Sequence, residues 1–120
     1  MITLKTLAQA TAQEVFDQVA RHLLTQNAKA IGPTGCYDYV YLTPEGLKCA
    51  AGCLIADNEY SVDFEYEVWG SLVAQGVAPE AHEELITALQ VVHDGWEVCE
   101  WPDRLRANAL LLNLNTEVLE

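Results

Sequence analysis

Residues 49–103 contain no lysine and no arginine. Twelve carboxylates stand in that stretch, from Asp57 through Asp63, Glu80, Glu83, Glu84, Asp94, Glu97 and Glu100 to Asp103. Outside it six acids and six bases cancel, so the formal net charge of -12 belongs to the central half of the chain. A field of that sign repels nucleic acid, anionic lipid and anionic metabolites, and it attracts basic partners. Direct nucleic-acid binding is therefore not expected, because phosphate contact needs clustered Lys and Arg.

No apolar run approaches the roughly 20 residues that span a bilayer. The first residues, Met1-Ile2-Thr3-Leu4-Lys5, lack the basic-then-apolar layout of a secretory signal. The expected home is the cytoplasm, away from membranes. Disorder is not expected either: 51% of the 120 residues are hydrophobic, enough for one globular domain spanning 1–120 with a real core.

The motifs of common chemistries are also missing. Gly32-Pro33-Thr34-Gly35-Cys36 has neither the spacing nor the lysine of a phosphate-binding loop. His82-Glu83-Glu84 matches the start of a zinc-protease helix, but Ile86 stands where the second His is needed. Four cysteines are present, and only Cys49 and Cys53 are close together. Structural zinc wants two tight ligand pairs, so a site built from Cys36, Cys49, Cys53 and Cys99 or a histidine is poorly supported. A cysteine nucleophile would need a histidine held beside it, and no spacing enforces that for His22, His82 or His93. Free buried thiols are the plain expectation, with no metal, no cofactor and no catalytic residues.

What is present reads as mostly helix. Thr11-Ala12-Gln13-Glu14 is a capping box, and Val15, Phe16, Val19, Ala20, Leu23 and Leu24 follow at helical spacing, which predicts a helix over 12–27. Residues 37–41 are strand formers, 43–46 (Thr-Pro-Glu-Gly) a turn, and 47–50 the return strand of a β-hairpin. A helix is expected over 65–75, ended by Gly76. Another should start at Pro79, with Leu85, Ile86, Leu89, Val92 and His93 as its apolar stripe. The last should open at Pro102 and bury Leu105, Ala109, Leu112 and their neighbours. The expected fold is α+β: a small, mostly helical domain of four to five helices with one β-hairpin.

The order of these parts, above all the segment Gly46-Leu47-Lys48-Cys49-Ala50 and the late Leu89-Gln90-Val91-Val92-His93-Asp94, resembles a family of small proteins of unassigned function met mostly in phage and prophage genomes. The resemblance covers most of the chain. It implies an accessory protein working in the bacterial cytoplasm and carries no catalytic residues with it.

The acids are densest over 57–69, where Asp57, Glu59, Asp63, Glu65 and Glu67 alternate with Tyr60, Phe64, Tyr66 and Trp69. A solvated face would intersperse both signs of charge. Carboxylates beside aromatics instead suggest an interface for a basic host protein, with the acids standing in for DNA phosphates and Tyr66 and Trp69 as anchors. Trp69 also shares a helical face with Val68, Leu72 and Val73, so core and interface are both open to it. The expected function is inhibition of a basic host protein, such as a defence factor. The alternative is a small-molecule or metal-binding protein that uses the Cys-containing hairpin region.

Overall fold

Helix α1, Ala12–Gln26, begins where its capping box places it. The Glu14 backbone N–H donates to Thr11 Oγ1 at 3.1 Å, and the Thr11 N–H donates to the Glu14 carboxylate at 2.8 Å. Two of the four orphan donors of a helix N-terminus are thereby satisfied. The helix ends on Asn27, whose left-handed backbone (φ 53) turns its N–H onto the Leu23 carbonyl. Val15, Phe16, Val19, Ala20 and Leu23 are fully buried along one face.

The computed structural model describes residues 1–35 and 38–120. Cys36 and Tyr37, where the first hairpin strand was expected to begin, lie outside the described residues. Among the described residues there is no β-strand, so the fold is helical and the β-hairpin expectation is overturned. The turn itself forms: the Thr43 N–H donates to the Leu47 carbonyl at 2.9 Å, and a single bridge joins Leu42 to Lys48. The ladder stops there because side chains take its backbone groups. Tyr41 and Leu42 donate their N–H groups to the Glu65 carboxylate. Gln26 grips both backbone groups of Lys48, accepting from its N–H and donating to its carbonyl. On the other side Val40 donates back to Ala30, and a second isolated bridge joins Ile31 to Tyr39. Beyond Ala50 the chain tightens into a 3-10 turn, Ala51–Leu54. Gly52 is required in that turn, since a Cβ there would collide with the Tyr41 carbonyl.

Helix α2 is short, Trp69–Ala74, and not the longer helix over 65–75 that the apolar spacing predicts. Glu65 and Glu67 are both held by the 41–42 segment, and Tyr66 adopts a positive φ of 68, so the chain cannot enter a helix until Trp69. Gly76 (φ 78) ends it as expected. Helix α3, Glu83–Gly95, starts four residues after Pro79. His82 sits at φ 63 with its ring Nε2–H donated to the Ala10 carbonyl at 2.7 Å, and this anchor keeps 79–82 out of the helix. Helix α4, Trp101–Leu111, opens with Pro102 in its first turn. It buries Trp101, Leu105 and Ala109, while Leu110, Leu111 and Leu112 face outward, contrary to the expected buried leucines.

Helices α1, α3 and α4 pack mutually, and α2 lies on α3. Phe16, Leu54, Leu72, Leu89, Trp101 and Leu105 fill one continuous core. The Cα radius of gyration is 13.3 Å, close to the roughly 13–14 Å of a folded chain this long. No described helix is long and apolar enough to cross a membrane.

Candidate functional site

A cleft lies between the 39–41 segment, the 66–70 segment and one face of α3, and it has a volume of about 730 Å³. Glu83, Thr87, Gln90, Val91 and Asp94 line it from α3. Their spacing of four, three, one and three residues places them on a single helical stripe beside the apolar one. Gly70 of α2 lies against this stripe: a Cβ there would stand 3.3 Å from Glu83 Oε2. Glu67, Val68 and Trp69 form the facing wall, and Cys49 also reaches the cleft.

Three charged side chains line the cleft, Glu67, Glu83 and Asp94, and all are acidic. Among the described residues the carboxylates of Glu67 and Glu83 accept no hydrogen bond and make no ion pair. Asp94 is engaged through Oδ1, which accepts from His93 Nδ1 at 2.6 Å and from Gln90 Nε2 at 2.8 Å. The mouth is apolar: Tyr66 is 86% exposed, Val68 72% and Val91 55%. Trp69 is 3% exposed, and its buried Nε1–H has no acceptor among the described residues.

The residues expected to form a binding surface divide into three groups. Asp57, Asp63 and Tyr66 are exposed, and Asp57 pairs with Lys48 at 3.2 Å in the one Lys–carboxylate ion pair among the described residues. At such exposure that pair contributes little. Glu67 belongs to the cleft wall, and Trp69 belongs to the core at the cleft's base.

Glu59 and Glu65 hold the fold together. The Glu59 carboxylate accepts from the backbone N–H groups of Leu4, Lys5 and Ala56, at 3.0, 3.0 and 2.9 Å, and ties the N-terminal segment to the middle of the chain. Burial alone would raise its pKa, but these donors outweigh burial and hold it below the ordinary carboxylate value. The Glu65 carboxylate accepts from the Tyr41 N–H at 2.9 Å, the Leu42 N–H at 3.4 Å and the Tyr60 hydroxyl at 2.6 Å. Burial, then this carboxylate, pushes the Tyr60 phenol up to about 12.

Cys49, Gln90, His93 and Asp94 lie together, yet their hydrogen bonds leave no nucleophile and no free base. The Ala30 N–H donates to His93 Nε2 at 2.9 Å, so that nitrogen carries the lone pair and Nδ1 carries the proton donated to Asp94. The lone pair is already occupied in a fully buried ring stacked on Trp101. Burial pushes the Cys49 thiol well above its ordinary value, and it pushes Cys53 up to about 12. His22 and His82 also spend Nε2 on backbone carbonyls, those of Lys48 and Ala10. Among the described residues no three His, Cys, Asp or Glu side chains converge on a point where a metal ion could be held.

Glu83, Asp94 and Val91 were not among the expected binding residues. The signal for Glu83 and Asp94 lay in the polar positions of α3 at helical spacing, which acid density along the chain does not pick out. Compared with known proteins, the chain matches no family model, no curated protein and no solved structure.

Proposed function

We propose that this chain is an acidic interaction protein that binds a basic protein through its central half and thereby occupies a surface that would otherwise hold nucleic acid. The observation that carries the reading is the cleft: among the described residues its three charged wall side chains are carboxylates, two of them without partners, and its mouth exposes Tyr66, Val68 and Val91. Apolar anchors set among one sign of charge are what a partner of the opposite sign can use for both affinity and steering. Relief of the repulsion among unpaired carboxylates adds to the drive for binding. The resemblance to phage and prophage proteins makes a bacterial host protein the expected partner, with inhibition following from competition with nucleic acid.

The test is capture from a bacterial lysate freed of nucleic acid, followed by repurification of each captured protein. A true partner has a basic surface, binds the purified protein directly, is released as salt rises and is displaced by duplex DNA. If every direct binder is acidic or neutral, or holds on unchanged in high salt, the reading fails.

A further inference from the structure

We infer that the cleft is the dock for an arginine-bearing, otherwise apolar extended segment of the partner, with Glu67 and Glu83 drawing the guanidinium and the exposed Tyr66, Val68 and Val91 covering its apolar flanks. This deepens the proposed function and rests on it.

Two features meet in the cleft. The first is charge: Glu67 and Glu83 both line it, neither carboxylate has a partner among the described residues, and no described Lys or Arg lines it. A guanidinium carries donors in a planar fork and can satisfy two carboxylates at once. The second is the apolar mouth, where Tyr66 and Val68 stand largely in water. Aliphatic residues flanking the arginine would cover them, and the Tyr66 ring offers a face to the cation. The volume of about 730 Å³ falls in the range of about 300–1,000 Å³ typical of small-ligand sites, so the cleft takes a few residues and not a folded surface.

The probe is the capped tripeptide N-acetyl-Leu-Arg-Leu-amide, titrated into the 15N-labelled full chain, with N-acetyl-Leu-Glu-Leu-amide as control. The arginine peptide should shift the Trp69 indole N–H signal, assigned by its loss in Trp69→Phe, in a saturable way, and the glutamate peptide should not. Glu67→Gln combined with Glu83→Gln should weaken the arginine peptide about tenfold or more, with an unchanged thermal midpoint. The inference is overturned if the indole signal does not respond, if both peptides bind alike, or if the double amide variant binds as well as the wild type. Poly-L-arginine separates the two levels. Salt-sensitive binding of poly-L-arginine that ignores the double substitution removes the dock and leaves the acidic interface standing. No binding of poly-L-arginine to the wild type removes both.

Discussion

Truncating Glu65 to alanine strands two backbone donors and one phenol. A hydrogen bond to a charged acceptor contributes about 1.5–3 kcal/mol when well formed. Two of the three are well formed, at 2.9 Å from the Tyr41 N–H and 2.6 Å from the Tyr60 hydroxyl, while the 3.4 Å contact from Leu42 adds little. Glu65 is only partly buried, so water replaces some of what is lost. Glu65→Ala should therefore destabilise the fold by about 2–4 kcal/mol, out of a total on the order of 5–15 kcal/mol. For a chain of this length that lowers the thermal midpoint by roughly 8–16 °C. Glu65→Gln keeps one acceptor oxygen and should cost about half as much. Asp63→Asn, two residues away and exposed, should leave the midpoint where it is. Thermal unfolding followed by far-ultraviolet circular dichroism measures all three. A cycle of Glu65→Gln with Tyr60→Phe should show coupling, because the two side chains share a bond. If Glu65→Ala melts with Asp63→Asn, the carboxylate is solvated surface and the account of why the hairpin fails is wrong.

The Glu59 carboxylate is held below its ordinary value of 4.5, so the unfolded chain binds its proton first as pH falls. Its contribution is complete above that value and is lost on acidification through the folded pKa, and Glu59→Gln should flatten the acid limb of a plot of stability against pH. His22 is held below 6.5, chiefly by burial, so its protonation favours the unfolded chain. Stability should rise with pH up to about 6.5, and His22→Gln should remove that slope in urea titrations at a series of pH values. Iodoacetamide should modify exposed Cys99 before Cys49 and Cys53, which should resist until denaturant is added, as read by peptide mass mapping. Fast labelling of Cys49 in the native protein would contradict its burial.

Local signals were readable where they act over three or four residues. The Thr11–Glu14 box, the Gly76 stop and Pro102 in the first turn of α4 each appear in the structure where the chain marks them. The hairpin failed because its competitor acts over distance. Glu65 reaches Tyr41 from 24 residues away and Gln26 reaches Lys48 from 22, and no periodicity announces a side chain that takes over a backbone donor. The same contacts shorten α2. Pro79 marks a boundary correctly, but the His82 ring on Ala10 moves the helix start. For the candidate site, the excess of acid was legible and the division of labour within it was not. Glu59 and Glu65 look like their neighbours in sequence and differ only in which N–H groups they meet. Leu110, Leu111 and Leu112 face out because Trp101, Leu105 and Ala109 already fill the buried face of α4.

The central claim is that exposed carboxylates of the central half steer a basic protein onto the cleft. Stopped-flow association with the purified captured partner, measured across a salt series, tests it most directly. Wild-type association should slow steeply as ionic strength approaches physiological, where charges are screened within about 8 Å. The variant Asp57→Asn, Asp63→Asn, Glu67→Gln should associate more slowly at low salt and with a shallower salt slope, while Glu59 and Glu65 stay intact to preserve the fold. Equal rates and equal slopes for the two proteins would contradict the account.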